Sequence, residues 1–422
     1  MGFTRRALPS DCGGAFPFVI VKFYSISSRG AFKRLVQPLA LLFCLVLLVA
    51  CVPGDSKVEQ LAPGVVYHKI HLLEGPWWIH VIEVDLPEAW AAGVRLRTAM
   101  GHSERGGVQK TSSLAAGALA GINGDYLYTS KTSHTAGLQI HAGSLIRTPQ
   151  RQSAFAISGA GKPLIAVYQM ELGVLTAAGE DLRAQGFNRE PSSKELVVYN
   201  HYAQVWHDSV RAARGFLLQG LHGESTINDT VITRVQQVRR RAWPLFLEPG
   251  QWLLAAGAEY DASSSIAPGD TVGLYCRLPP AHDKMVEAVG GGPRILRDGA
   301  ISIEVEKERL SRTFADERHP RTAIGYSQNG QVLFLIAVDG RQPGHSVGMS
   351  LQELAEFMRM RLADFSFAKE NAYQGLNLDG GGSTTMVVGD QVVNSPSDPT
   401  GERPVANALL VVAPPEGGED KP

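Results

Sequence analysis

Val332-Leu-Phe-Leu-Ile-Ala-Val338 is an unbroken apolar run, and Ser350-Leu-Gln-Glu353 follows it after a polar, glycine-containing stretch. A short apolar run with no alternation predicts a strand buried on both faces. The serine with a glutamate three positions on predicts a capping box, in which each side chain satisfies a terminal N–H group near the other. Leu351, Leu354, Ala355, Met358 and Leu362 then recur at helical spacing, so one stripe of that helix faces a core. Leu376–Leu378 reads as the next strand. Thr385–Val388 and Gln391–Val393 read as a hairpin about Gly389-Asp390, and Ala408–Val412 as a closing strand. A strand–helix–strand unit followed by further strands predicts an α+β fold, mixed and largely β, with a few packed helices.

Working outward, the same β character extends upstream. Val65–Leu86 holds two apolar and aromatic runs flanking Glu74-Gly75-Pro76, a hairpin signature, with Trp77, Trp78, Ile79, Val81 and Ile82 on its packed face. Val94–Thr98 predicts a third strand, and Ser112–Ala120 a short helical piece. From about 155 to 278 short β-type runs alternate with turn residues, Leu245–Ala256 and Thr271–Leu278 being the clearest. Cys276 sits inside the latter as a small buried hydrophobe. The 45 glycines in 422 residues exceed the usual share and suit turn-rich β structure. The 40 basic and 41 acidic side chains nearly cancel, with no basic stripe, which excludes a nucleic-acid partner.

The N-terminus has a different composition. Residues 1–50 carry Arg5, Arg6, Lys22, Arg29, Lys33 and Arg34 against Asp11 alone, and run into the apolar stretch Leu39–Ala50. That stretch is too short to span a bilayer but suits the apolar region of a secretory signal. Leu48-Val49-Ala50-Cys51 resembles the lipobox of bacterial lipoproteins, which implies cleavage before Cys51 and lipidation of its thiol. The expected organisation is a lipoprotein signal peptide at 1–50, a tether at 51–60, an N-terminal β extension at 61–109, one large domain at 110–413 and a disordered tail at 414–422. The extension either completes the sheet or acts as a stalk. Val52 after Cys51 implies, by resemblance to sorting in diderm bacteria, an exported protein anchored in the outer membrane and facing the periplasm.

Five segments end apolar strands with polar residues that a core would not use: Asn123–Tyr126, Gly290–Arg294, His319–Thr322, Asp339–Arg341 and Asn377–Thr384. Glycine beside a carboxylate at a strand end lets a ligand approach the backbone while the acid points at it. The three glycines after Asp379 would form a nest of N–H groups for an anion. No Gly-Lys-Ser/Thr ending supports a nucleotide P-loop, and Ser383 lies outside a Gly-x-Ser-x-Gly elbow. The histidines lack zinc-ligand spacing, so no transition-metal site is expected. No cofactor is required, although the aspartates leave Ca²⁺ or Mg²⁺ open.

Together and in order, Asn123-Gly124, His319-Pro-Arg-Thr-Ala-Ile-Gly325, Val338-Asp-Gly-Arg341, Gly348-Met-Ser-Leu351, Asn377-Leu-Asp-Gly-Gly-Gly-Ser-Thr384, Val393-Asn-Ser-Pro-Ser-Asp398 and Gly401-Glu-Arg-Pro-Val-Ala-Asn407 resemble the phosphodiester glycosidase family. The resemblance implies cleavage between a sugar's anomeric carbon and a phosphodiester, through an oxocarbenium-like transition state. It implies Asp379 and Asp339 as the carboxylate pair, with Asp125 as third candidate. Arg321 and Arg341 would take the phosphate, helped by Gly380, Gly381, Gly382, Ser383 and Thr384. Asn123, Asn377 and Asn394 would bond sugar hydroxyls. The bland alternative for the two arginines is an ion pair with Asp339 or Asp379, and for Glu287 and Arg403 a structural role is expected. The rival function is a non-catalytic envelope lipoprotein that binds glycan or exopolysaccharide, with Trp77, Trp78, Trp206 and Trp243 as stacking candidates.

Overall fold

The computed structural model describes residues 55–414, apart from 102–106, 129–133, 206–208, 223–226, 241–242, 245 and 261–265. The expected signal peptide, Cys51, the start of the tether, Trp206, the Trp243 side chain and the tail beyond Pro414 lie outside the described residues.

Val332–Val338 is a central strand of an eight-stranded sheet. The sheet runs, edge to edge, Asp55–Ala62, Val65–Leu72, Trp77–Asp85, Val332–Val338, Arg321–Tyr326, Gln374–Asn377, Arg294–Arg297 and Ala300–Ile301. The apolar run divides its side chains by parity. Leu333, Leu335 and Ala337 enter one core with Ile82, Val84 and Ile324, while Phe334, Ile336 and Val338 enter another with Ile79 and Val81. That is why the sequence shows no alternation there: both faces need carbon. Each of the larger side chains among these contributes roughly 1.5–3 kcal/mol relative to exposure.

The second core is closed by the predicted helix. Ser350 and Glu353 form the capping box, with Ser350 Oγ accepting from Glu353 N at 3.2 Å and Ser350 N donating to Glu353 Oε2 at 2.9 Å. Leu351, Leu354, Ala355, Met358 and Leu362 all face the core, across a π-helical turn at Phe357–Arg361. The first core is closed by a five-stranded sheet that includes Ala120–Asn123, Met386–Val388, Asn407–Val412 and Arg95–Met100.

The upstream residues complete the main sheet. Residues Ile79–Asp85 of the strand Trp77–Asp85 pair with the whole of Val332–Val338, and Val65–Leu72 closes the predicted hairpin. The middle of the chain forms a second eight-stranded sheet, built around the long hairpin Arg214–His222 and Asp229–Arg240. Cys276 is buried in it and unpaired, and burial pushes its thiol up to about 12. Among the described residues no helix is long and apolar enough to cross a membrane.

Candidate active site

The antiparallel registers bring the five polar segments to one end of the main sheet. Arg321 opposes Val338 and Ala323 opposes Asn377, so Arg321, Asp339 and Asn377–Asp379 share an edge of the fold. The five-stranded sheet delivers Asn123–Asp125 to the same place, because Asp379 N donates to Gly124 O at 3.1 Å. Asn123 stitches the two sheets together. Its Nδ2 donates to Asp379 O at 2.7 Å, and its Oδ1 accepts from Thr322 Oγ1 at 2.8 Å and Thr385 N at 3.0 Å.

Asp379 and Asp125 are the two carboxyls pushed upward here. Burial brings Asp379 to about 6, with the Ser383 hydroxyl, the Arg403 charge and the Gly380 N–H pulling the other way. Asp125 is 2% exposed, and burial raises it to about 7, with the Asp379 charge adding to the rise. Both Asp125 oxygens are occupied: Oδ1 accepts from Tyr126 N at 2.8 Å and Oδ2 from Gly137 N at 2.6 Å. Asp379 is the more open of the two.

Asp339 has a different environment. It is buried, which alone would raise its pKa, but His80, the Ser395 N–H and His345 hold it below the usual carboxylate range. Its Oδ1 accepts from Ser395 N at 2.8 Å and Asn394 Nδ2 at 3.2 Å, and its Oδ2 lies 3.1 Å from His345 Nε2. The carboxyl electrostatically tied to Asp379 is therefore Asp125 rather than Asp339. Sequence spacing gave no sign of this, since more than 250 residues separate Asp125 from Asp379.

Neither arginine makes an ion pair with Asp339 or Asp379. Arg321 is fully buried and donates to three backbone carbonyls: Nε to Met349 O at 2.8 Å, Nη2 to Phe314 O at 2.8 Å and to Glu317 O at 2.7 Å. Its Nη1 is buried with no partner. Burial, reinforced by the Arg341 charge, lowers Arg321 to about 10, so it stays ionised at neutral pH. Arg341 is exposed and leans over Gly381, and its Nη2 donates to His319 Nδ1 at 3.2 Å. His319 is held neutral by burial and by both arginine charges, which lower its pKa, and so serves as an acceptor. Among the described residues no carboxylate lies within ion-pair distance of either arginine. Arg341 also takes a φ of +58°, a left-handed backbone that costs a non-glycine residue roughly 1–3 kcal/mol and persists only where its surroundings enforce it.

The glycine nest is corrected. Gly381 N donates to Pro320 O at 2.9 Å, and Gly380 N serves the Asp379 carboxyl, so two of the three N–H groups are spent inside the protein. The triplet is glycine for room. A Cβ on Gly380 would stand 2.8 Å from Pro320 O, and one on Gly382 would stand 2.1 Å from Asp398 Oδ1 and 2.3 Å from Arg403 Nη2. Asp398 and Arg403 form a two-pronged ion pair against this loop, the structural role expected of Arg403.

The asparagines are corrected in part. Asn394 spends its amide on Met386 N, Asp339 and Thr384 O, and Asn123 is used as described, so both frame the site. Thr384 is likewise buried, its hydroxyl accepting from Thr322 Oγ1 at 3.3 Å. Asn377 keeps an opening: Nδ2 donates to Tyr126 Oη, Gly292 O and Leu378 O, while Oδ1 is buried without a partner. Tyr126, whose side chain had no assigned role, donates its hydroxyl to Gly292 O and packs edge-on against Phe314. Trp77 and Trp78 are half-buried and bonded to the 346–348 backbone and side chains. Among the described residues no group of three His, Cys, Asp or Glu side chains gathers as a metal centre.

Residues 249–412 match the phosphodiester glycosidase family. The chain is 33% identical over 126 residues to the Bos taurus N-acetylglucosamine-1-phosphodiester alpha-N-acetylglucosaminidase, covering 28% of this chain and 22% of that protein. It thus spans about a fifth of the length of that curated relative. Two crystal structures share the fold at 20% identity. A Synechocystis protein aligns with a TM-score of 0.60 over 86% of this chain and 64% of its own. A Burkholderia pseudomallei K96243 protein aligns with a TM-score of 0.59 over 85% of this chain and 96% of its own. The family resemblance carried by the motifs from His319 to Asn407 therefore holds.

Proposed function

We propose that the chain hydrolyses a glycosyl–phosphate bond in a sugar-1-phosphodiester. The observation that carries this reading is the Arg321–Arg341 pair: two guanidiniums within electrostatic reach of each other, neither in an ion pair with a carboxylate among the described residues, with Arg341 packed over Gly381, two residues on from Asp379. Two neighbouring cations, with Glu317 and Glu353 offsetting Arg321 only through their fields, favour an anion, and planar guanidinium forks suit phosphate oxygens. With the phosphate on Arg341 and Arg321 Nη1, the anomeric carbon faces Asp379. Water adds to that carbon while Asp379, ionised, takes its proton. The bond from the anomeric carbon to the phosphate oxygen breaks, and its electron pair leaves on the phosphomonoester. That leaving group is already a stable anion, so it needs no strong general acid. Asp125 lies in the field of ionised Asp379, which helps keep it protonated, and Asn377 Oδ1 offers an acceptor to a sugar hydroxyl.

The lipobox resemblance at Leu48–Cys51 extends the proposal to an exported, lipid-anchored protein acting on envelope or extracellular glycan. Incorporation of labelled palmitate, lost in Cys51→Ala, is the expected result. The activity is tested with a panel of sugar-1-phosphodiesters, including UDP-sugars, in chelated samples and in samples supplemented with Ca²⁺ or Mg²⁺. Release of reducing sugar by the wild type but not by Asp379→Asn is expected. A folded wild type that binds members of the panel and releases nothing would overturn hydrolysis in favour of glycan binding.

A further inference from the structure

We propose that His80, on a strand upstream of the family-matched segment, is a positioning residue that holds the Arg341 loop in its anion-binding form through Asp339. The inference rests on the reading of Arg341 as the phosphate ligand.

The loop from Gly340 to Gly348 carries Arg341 in a left-handed backbone, and most of what grips the loop comes from the N-terminal hairpin. Trp77 Nε1 donates to Gly348 O at 2.8 Å, Trp78 N donates to Ser346 Oγ at 3.2 Å, and Val347 N donates to Pro76 O at 3.2 Å. The Trp78 ring stacks on His345, with centroids 5.8 Å apart. At the centre is Asp339, which begins the loop. Its backbone oxygen accepts from Ser346 Oγ at 2.6 Å, and its carboxylate collects His345, Asn394 and Ser395. Gln342 ties the same loop to Ser395, with Nε2 donating to Ser395 O at 2.7 Å.

His80 sits behind this carboxylate, 1% exposed, with Nε2 3.5 Å from Asp339 Oδ2, a long polar contact in which Nε2 makes no full hydrogen bond. On its other side, Tyr67 Oη lies 2.8 Å from His80 Nδ1. A tyrosine hydroxyl donating to Nδ1 leaves the proton on Nε2, which is the tautomer that aims an N–H at the carboxylate. Tyr67 and His80 lie in paired strands of the main sheet, so this N–H is delivered from hydrogen-bonded backbone rather than from a loop. Removing it takes away the polar group that faces the back of a buried carboxylate, and the cheapest relief is for the loop to shift and admit water.

The test compares His80→Leu with His80→Gln, whose side-chain amide nitrogen occupies roughly the place of Nε2. Affinity for inorganic phosphate is read by calorimetry, and amide hydrogen exchange is read across 340–349 and across the strand 332–338. His80→Leu is expected to weaken phosphate binding about tenfold and to speed exchange at Val347 and Met349 by a similar factor, leaving the 332–338 amides unchanged. His80→Gln is expected to recover most of both. Wild-type behaviour in His80→Leu would overturn the proposal. So would a glutamine variant no better than leucine, or exchange that rises equally along the strand, the mark of a packing defect alone. If the wild type binds no phosphate, the phosphate reading of the site fails, and the exchange arm still decides whether His80 holds the loop.

Discussion

Glu287, inside the strand Met285–Gly290, and Asp379, just past the strand Gln374–Asn377, are both largely removed from water, and their surroundings push them in opposite directions. Burial raises each, but Glu287 is answered in full: Thr98 N at 2.9 Å, Thr98 Oγ1 at 2.8 Å, Ala142 N at 3.0 Å and Arg97 Nη1 at 3.1 Å. With the nearby His141, these donors bring it below the ordinary range. Glu83 repeats the pattern with His68, Ser366 and the N–H groups of Phe367 and Ala368. Asp379 receives too few donors to offset its burial and settles at about 6. The arginines divide in the same way. Buried Arg294 places its guanidinium on Leu296 O, Ile165 O and Gln374, whereas Arg321 keeps Nη1 empty. A saturated buried charge holds a fold together. An unsaturated one beside an opening is available to a ligand.

The largest expected effect separates the two acids. Asp379→Asn should cut turnover by about 10³-fold while the protein folds normally. Glu287→Gln should leave the turnover of folded enzyme intact and lose ~2–3 kcal/mol in denaturant titration, because charge-assisted bonds weaken. Equal turnover losses in both variants would break the distinction. The arginine contrast comes next. Arg341→Ala should raise KM about ten- to hundredfold with little change in Tm. Arg294→Met should lower Tm with KM unchanged.

The pH dependence sharpens the same comparison. Asp379 and Asp125 titrate at about 6 and about 7 when folded, against an ordinary 3.8, so the native protein binds more protons than the unfolded chain between these limits. Their contribution to stability therefore falls as pH rises through that window. Turnover, which needs ionised Asp379, should rise over the same range, with a half-maximum near 6 in kcat/KM. Glu287, held low, has the reverse sign: its contribution is present above its unfolded value and is lost as pH falls through its lowered one. Denaturant midpoints and rate profiles measured on one pH series would show the two curves crossing. A rate that falls from pH 5 to pH 7 would remove Asp379 from the role of base.

What was legible in the sequence was local. The capping box at Ser350, the two-faced strand at Val332 and the hairpin about Gly75 each depend on residues a few positions apart, and each lies where its pattern placed it. The set of segments that converge was also legible, because polar residues ending apolar strands are costly unless used. Roles within the set were not. Whether Arg321 pairs with a carboxylate or with Met349, Phe314 and Glu317 carbonyls depends on which loop lies above it. Whether Asn394 meets a sugar or Asp339 depends on the register of a different sheet. The upstream hairpin carried a turn signature but no sign of a part in the site, yet Trp77, Trp78 and His80 touch the Arg341 loop, since such contacts need only aromatic bulk and one N–H.

The smallest expected effect compares two glycines in one stretch of chain. Gly389 turns a hairpin at φ +56° with nothing within 4 Å of an added Cβ, so Gly389→Ala pays only for the left-handed backbone, about 1 kcal/mol. Gly382→Ala meets no such backbone restriction. Its new methyl would instead stand within 2.3 Å of Asp398 Oδ1 and Arg403 Nη2 and push that ion pair off the loop. A partly exposed pair is worth ~0–1 kcal/mol, so the two variants should have nearly the same Tm. They should differ in rate. Arg403 is one of the charges that restrain the rise in Asp379, so displacing it should move the acid limb of the pH profile upward in Gly382→Ala and leave it in place in Gly389→Ala. Matching profiles would mean that Asp398 and Arg403 only brace the loop, and that Asp379 is set by burial, the Ser383 hydroxyl and the Gly380 N–H.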